Sequence, residues 1–381
     1  MRSLLITFDY PPAVGGIARV LAHFWRLAGH DGCAILAPAG AGALDFDRDH
    51  LVRTVRFPAI AGLGALGKAL TFGAGLLWAS AQLARQRPDL VVAGQLVRAG
   101  PLAWAWHRLT GRPYDLWVYG GETSPGFAPR PWMAAPLRAI LCHARTVFTN
   151  SPFTTAEMLG AGLRRAQVVE LPLAVDTETF SPQPPDPALV QRLGLSGKLV
   201  FLTVGRLVER KGVDAMLRCL ASLGSQLPPW HYLVLSDGPY RPVLEGLVDE
   251  LALRHRVTFT GFVDQGELPR YYRLGDVFAM PNREVVGPAG GGLSVEGFGI
   301  VFLEAAACGK PVIAGRSGGA VHALEDGVTG FLVDPADPAS LRAAVLALAD
   351  PERRQAMGAA GLEFARRFSW ERSAAILRRY L

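Results

Sequence analysis

Four prolines fall within seven residues at Ser181-Pro182-Gln183-Pro184-Pro185-Asp186-Pro187. Neither a strand nor a helix runs through such a stretch, because each proline removes a backbone donor and fixes φ. On both sides of it, short apolar runs alternate with stretches of helical spacing. Residues 4–8, 33–37, 90–93, 116–119, 146–149 and 167–171 are the runs before it, and residues 199–204, 232–235, 257–260, 277–281, 311–314 and 331–333 the runs after it. Strands alternating with helices make a mainly parallel sheet covered by helices. The prolines therefore divide two doubly wound α/β units, and 381 residues are enough for two cores. Ligands in such sheets bind at the strand ends.

Half of the chain is hydrophobic and its glycines and prolines are scattered as punctuation, so it is globular and not disordered. Cys33, Cys142, Cys219 and Cys308 lie far apart among apolar neighbours. They read as reduced packing residues of a cytoplasmic protein, with no disulfide framework and no zinc spacing. The formal charge of +6 is uneven: residues 1–180 hold 17 Lys and Arg against 12 Asp and Glu, whereas the remainder is nearly balanced. Such an excess attracts an anionic membrane surface or an anionic small molecule. No basic stripe is interleaved with aromatics, so nucleic acid is not an expected partner.

The first apolar run meets Asp9 too early for a signal peptide. Residues 57–84 are the one membrane-like window. Pro58 and Lys68 break it into two shorter pieces, where a spanning helix needs about 20 continuous apolar residues. It reads as a buried loop and helix of the first unit, the sharper alternative being a surface helix resting on a membrane. The expected location is cytoplasmic, with peripheral attachment to the inner face of the cell membrane.

Two stretches of the second half carry chemistry. Val295-Glu296-Gly297-Phe298-Gly299-Ile300-Val301-Phe302-Leu303-Glu304 places two carboxylates eight positions apart, in a loop that enters a helix whose first N–H groups form an anion site. With Glu296 in the loop and Glu304 on the helix, a ligand with a central phosphate and hydroxyls at both ends fits between them, which is the layout of a nucleotide-diphosphate sugar. The plainer alternative makes Glu296 a helix-terminal charge and Glu304 an exposed helix residue. Upstream, Gly205-Arg206-Leu207-Val208-Glu209-Arg210-Lys211-Gly212 leads from a strand into the helical stretch 213–223. There Arg206 and Lys211 can hold a diphosphate by a guanidinium fork and a point charge, or belong to an ordinary solvated loop.

In the first half, Asp9-Tyr10-Pro11-Pro12 and Gly15-Gly16 separate the opening strand from the helical pattern 17–27. The glycine pair lets backbone approach a phosphate or sugar, but the spacing is not the G-x-G-x-x-G of a dinucleotide site, which counts against a nicotinamide dehydrogenase. Tyr119-Gly120-Gly121-Glu122 and Asn150-Ser151 are polar strand ends on the same side of the argument.

Taken in order, residues 204–212, Asp237-Gly238-Pro239 and the carboxylate pair flanking Gly297-Phe298-Gly299 resemble the two-domain retaining glycosyltransferases of the GT-B fold, family 4, over nearly the whole chain. Asp9-Tyr10-Pro11-Pro12 before Gly15-Gly16, Gly290-Gly291-Gly292-Leu293 and residues 299–304 look most like the phosphatidylinositol mannosyltransferases. The resemblance implies two Rossmann-like domains with a cleft between them. Residues 1–180 would bind acceptor, residues 181–365 would bind donor, and helix 366–381 would pack back on the first domain. It implies that Arg206 and Lys211 bind the donor diphosphate, Glu296 the donor sugar and Glu304 the ribose. Asp237, Gly238, Phe262, Val263, Gly297, Phe298, Gly299, Ile300 and Val301 would line the donor, the backbone of Gly261-Phe262-Val263 at its base. Gly15 and Gly16 would close over the diphosphate, with Asp9, Tyr10 and Glu122 toward the acceptor.

The implied reaction moves a hexose, first mannose from GDP-mannose and next a UDP-sugar, to a lipid or glycan acceptor of the cell envelope, without cofactor or metal. Cleaving the anomeric bond leaves charge on the diphosphate, which fixed cations stabilise. The acceptor attacks from the leaving-group face, so Glu296 orients sugar hydroxyls instead of acting as nucleophile. Glu296 and Lys211 are then expected to face solvent at least partly in an empty site.

One departure stands out. Relatives begin the turn after a first-domain strand with histidine, and here it is Tyr119; either its hydroxyl substitutes or Glu122 turns inward. A non-catalytic nucleotide-sugar-binding protein is the alternative from another class. A phosphorylase-like enzyme is weaker, because no lysine is placed for a pyridoxal cofactor.

Overall fold

The computed structural model describes the chain except residues 14, 51, 61–63, 124–130 and 288–290. Gly290 of the glycine-rich stretch and part of the 57–84 window lie outside the described residues. Two compact units form. Met1–Leu173 with residues 291–293 and Trp370–Leu381 belong to one, and Ala174–Gly287 with Ser294–Ser369 to the other. The unit boundary thus falls before the proline stretch.

In the first unit β1 (Ser3–Ile6), β2 (Cys33–Pro38), β3 (Arg53–Phe57), β4 (Leu90–Ala93), β5 (Tyr114–Trp117), β6 (Thr146–Thr149) and β7 (Val168–Glu170) form a parallel sheet in the order β3-β2-β1-β4-β5-β6-β7. Strands β1, β4, β5 and β6 are buried along their whole length, which is why each appears as a continuous apolar run. Strand β3 was not anticipated. Its Arg-Thr-Val-Arg sequence sits at the sheet edge, partly exposed, and carries no such run.

The second unit has β8 (Leu199–Val204), β9 (Trp230–Leu235), β10 (Val257–Gly261), β11 (Val277–Met280), β14 (Val312–Gly315) and β15 (Gly330–Val333), and between β11 and β14 the chain runs through the short strands β12 (Val285–Gly287) and β13 (Gly291–Ser294). The six strands of the unit's main sheet pair in the order β10-β9-β8-β11-β14-β15. In both sheets the order reverses beside the first strand of the unit, the topological switch where doubly wound sheets bind ligands. The loop expected over residues 287–293 therefore contributes strand at both of its ends.

Helix starts repay attention. Ser151, Asp186, Asp337 and Asp350 each accept a backbone N–H in the first turn of a helix that has proline at its start. Pro187, the last of the four clustered prolines, is therefore a helix start and not a continuation of linker. The C-terminal helix Trp370–Leu377 belongs to the first unit. Its Trp370 stacks on His23 of helix Gly16–Ala28 at 4.8 Å, and Ser373 Oγ donates to the Pro172 carbonyl at 2.8 Å.

The membrane-like window departs from expectation. Lys68 does not break it, and Gly64–Gln86 is one helix of 23 residues. Its Gly75 passes so close to Phe8 that a Cβ would lie 2.6 Å from the ring, which seats the helix on the sheet. Among the described residues no helix is long and apolar enough to cross a membrane. Of the cysteines, Cys33, Cys219 and Cys308 are buried as expected, but Cys142 is exposed.

Candidate functional site

In the second unit the loop after β8 is bent into a short 3-10 turn, Glu209–Lys211, ending at Gly212 with φ +71°. A Cβ on Gly212 would stand 2.0 Å from the Pro281 carbonyl oxygen, so only glycine lets this turn lie against the end of β11. The Arg283 N–H donates to the Arg210 carbonyl at 2.8 Å. The Arg283 guanidinium also spans both Asp214 oxygens at 2.9 Å. The loop is thus held on two sides. On a third side Leu207 exchanges backbone bonds with Asp237 and Tyr240, and Gly238 is required there, since a Cβ would meet the Leu207 carbonyl at 2.3 Å.

The turn aims two cations at one carboxylate oxygen. Lys211 Nζ lies 2.5 Å from Glu296 Oε2, and Arg210 Nη1 donates to the same oxygen. Burial alone would push the Glu296 carboxyl up, but Lys211 and Arg210 hold it at about 2. Burial pulls the Lys211 ammonium down, against the attraction of Glu296. The expectation of a solvent-facing Lys211 is corrected: it is buried, because its turn folds under the Glu296 loop. Arg206 stays exposed and, among the described residues, has no ion-pair or hydrogen-bond partner.

Glu296 precedes the helix Ile300–Ala307, whose cap is Gly299 at φ +88°. Beneath it lies the pair Gly318-Gly319. Gly319 N–H donates to the Glu296 carbonyl at 2.7 Å, and a Cβ on Gly319 would sit 1.9 Å from the Gly297 carbonyl oxygen. Asn282, fully buried, joins the neighbouring loops, accepting from Gly315 N–H at 3.0 Å and donating to the Ser317 carbonyl at 3.2 Å. Glu304 is on the helix as expected, but it is not exposed. It is 2 % accessible and accepts the Tyr272 hydroxyl at 2.7 Å, so the alternative of an exposed Glu304 falls. At the neighbouring strand end, Ser236 N–H donates to the Gly261 carbonyl at 2.8 Å, and Phe262 is exposed beyond it. Asp237 is exposed and accepts its neighbour Gly238 N–H at 2.7 Å.

In the first unit, Gly15 is extended and Gly16 opens its helix, and a Cβ at either would meet open space within 4 Å. Asp9 accepts Gln95 Nε2 at 3.0 Å, and Gln95 also bonds Thr7 and the Phe8 N–H, stitching the ends of β1 and β4. Tyr10 corrects expectation. Its ring is buried edge-on to Phe46 with the Arg56 guanidinium over it, so its hydroxyl does not reach out toward an acceptor. Tyr119 donates its hydroxyl to the Gly94 carbonyl at 3.0 Å. Glu122 folds back on its own turn, its two oxygens accepting the Tyr119 and Gly120 N–H groups at 2.6 Å each. Burial pushes the Glu122 carboxyl up to about 7 despite those donors, with Glu157 adding repulsion. Gly120 and Gly121 have φ of +112° and +84°, which is what lets so tight a turn form.

Sequence reasoning missed Arg210, Gln95, Tyr272, Asn282 and the part played by Gly318-Gly319. Arg210 was visible only as a third cation in the loop, and the glycine pair as a break after β14.

Comparison with known proteins agrees with this architecture. Residues 14–174 match the glycosyl transferase 4-like domain, and residues 187–364 match the glycosyl transferases group 1. The chain is 35 % identical to a GDP-mannose-dependent alpha-(1-6)-phosphatidylinositol monomannoside mannosyltransferase of Mycolicibacterium smegmatis, covering 95 % of this chain and 93 % of that protein. It is also 35 % identical to the protein of the same description from Mycobacterium tuberculosis, covering 100 % and 98 %. The crystal structure of Anabaena Alr3699/HepE in complex with UDP and glucose is similar with a TM-score of 0.79 at 21 % identity, over 100 % of this chain and 99 % of that one. The fold is that of GT-B proteins, with two Rossmann-like units.

Proposed function

Because the chain belongs to the group 1 glycosyl transferases, with a glycosyl transferase 4-like first domain, we propose that it moves mannose from GDP-mannose to a phosphatidylinositol mannoside or closely similar glycolipid, with retention at the anomeric carbon. The observation that carries the reading is the grouping of Arg206, Arg210 and Lys211 on one loop, with Glu296 fixed against two of them. Identity to mannosyltransferases across both units supports mannose and a glycolipid above other choices.

In this mechanism Arg206 and Lys211 take the diphosphate, and the charge that grows there as the bond breaks is met by cations already in place. The acceptor hydroxyl oxygen bonds to the anomeric carbon while the bond from that carbon to the diphosphate oxygen breaks. The hydroxyl proton passes to the leaving diphosphate, giving GDP and the mannoside. Glu296 orients the sugar hydroxyls, and Glu304 on its helix faces the ribose end. No metal is needed for charge that two side-chain cations and helix N–H groups already meet. Asp9, Glu122 and Tyr119 belong to the acceptor side, and Tyr119 holds its strand end through Gly94 where relatives use histidine. The helix Gly64–Gln86, with Leu66, Leu70 and Leu77 exposed along one stripe, lies on an anionic membrane surface from which the acceptor is drawn.

Incubating the purified protein with GDP-mannose or UDP-glucose and phosphatidylinositol monomannoside in vesicles tests this. A mannosylated lipid of α configuration from GDP-mannose alone is expected. Transfer from UDP-glucose only would overturn the donor, a β-linked product would overturn retention, and binding without transfer would favour a nucleotide-sugar-binding protein.

A further inference from the structure

Lys211 has two demands on it, since it neutralises Glu296 in the free protein and, on the functional reading above, binds the donor diphosphate. A buried carboxylate that loses its only counter-charge becomes costly to keep ionised. Arg210 removes that conflict. Its guanidinium is on the same Oε2 as Lys211, and among the described residues Glu296 Oε1 has no partner. Its backbone is fixed as well, by the Arg283 N–H on its carbonyl at 2.8 Å and by Gly212 wedged against Pro281. An arginine anchored in this way is a rigid donor, whereas Lys211 is a point charge on a flexible stem.

We propose that Arg210 is a positioning residue for glycosyl transfer: it pins Oε2 of Glu296, keeps that carboxylate in place when Lys211 turns to the donor diphosphate, and so presents Oε1 to the hydroxyls of the donor sugar. The proposal rests on the glycosyl transfer reading above. Arg206 and Lys211 remain the diphosphate ligands, so Arg210 acts on the sugar and not on the nucleotide.

Calorimetric binding of GDP and of GDP-mannose to the full-length protein, Arg210→Gln and Arg210→Lys separates these roles. The wild type is expected to bind GDP-mannose more tightly than GDP. In Arg210→Gln the affinity for GDP should stay within about threefold, while the preference for GDP-mannose is lost and kcat falls at least about tenfold. Arg210→Lys, which restores a charge, should recover part of the preference. Unchanged preference in Arg210→Gln overturns the proposal alone. A GDP affinity that falls as much as that for GDP-mannose overturns it too, by making Arg210 a diphosphate ligand. If the wild type binds neither nucleotide, the functional reading fails and the proposal with it; if the wild type binds both equally, there is no sugar contact for Arg210 to position and the proposal alone is overturned. Far-ultraviolet circular dichroism of both variants must match the wild type, and Arg210→Lys serves as the reading if Arg210→Gln does not fold.

Discussion

Lys211 Nζ lies 2.5 Å from Glu296 Oε2, and the two side chains are 9 % and 12 % exposed. Two charges so far out of water depend on each other, and removing Lys211 leaves Glu296 with Arg210 as its one remaining cation among the described residues. Lys211→Met keeps the stem and deletes the charge. It should cost roughly 3 kcal/mol of stability, moderated by Arg210, and reduce transfer by about a hundredfold or more. Denaturant unfolding and initial rates with GDP-mannose measure the two effects. Wild-type turnover in this variant would remove Lys211 from the mechanism.

The depressed carboxyl of Glu296 makes a pH prediction. A group held at about 2 against an ordinary 4.5 contributes stability that is fully present above the higher value and is lost as pH falls through the window toward the lower. Unfolding free energy of the wild type should therefore drop more steeply from pH 5 to pH 2 than that of Glu296→Gln. Parallel curves for the two proteins would show that the carboxylate is not held ionised by its cations.

Glu122 should behave with the opposite sign. Burial raises its carboxyl from 4.5 to about 7. The folded state is then favoured by the neutral form, and this favour is present below pH 4.5 and disappears as pH rises to about 7. Glu122→Gln, neutral throughout, should lose the difference in this window, so that wild type minus variant stability falls between pH 4.5 and 7. A flat difference would mean that the Tyr119 and Gly120 N–H groups fully offset the burial.

A backbone prediction concerns Gly319. Its missing Cβ leaves room for the Gly297 carbonyl, where an added carbon would sit at 1.9 Å. Gly319→Ala must push the Glu296–Gly297 loop aside, with a cost of about 1–3 kcal/mol and a loss of donor-sugar preference. Gly246→Ala, at a position in helix Arg241–Glu250 with nothing within 4 Å, is the control and should leave activity unchanged. Equal melting temperatures for the two variants would show that the loop has slack.

These residues also mark what a sequence discloses. The strands buried on both faces, such as Leu90–Ala93 and Thr146–Thr149, are legible because burial on two sides demands apolar residues at every position. Edge strand Arg53–Phe57 has solvent on part of its surface and so has no such signature. Arg206 and Lys211 were legible as cations on a strand-end loop, and Glu296 and Glu304 as carboxylates on either side of a helix start. Which cation meets Glu296 was not legible. Arg210 and Lys211 are adjacent, and only the 3-10 turn, with Gly212 at positive φ, brings both onto one oxygen. The burial of Tyr10 likewise depends on Phe46 and Arg56, which are distant in sequence and meet it only through packing.

The helix Gly64–Gln86 gives the last prediction. Leu66, Leu70 and Leu77 are 60 %, 43 % and 74 % exposed, and their spacing puts them on one stripe of a helix. Trp78 and Arg85 are exposed farther round the same helix, and Arg85 can meet anionic headgroups. Inserting a leucine into the acyl boundary is worth at most about 1.5–3 kcal/mol, so replacing two of them by charges has a large lever. In flotation with vesicles containing anionic lipid at low salt, the wild type should rise with the vesicles. Leu70→Glu with Leu77→Glu should reduce bound protein at least about tenfold, while transfer to a detergent-dispersed acceptor changes little. Raising the salt should weaken wild-type binding without abolishing it, because the leucine contribution is not screened. If the wild type stays at the bottom of the gradient at low salt, or the double variant floats with it, this helix is not the membrane-facing surface.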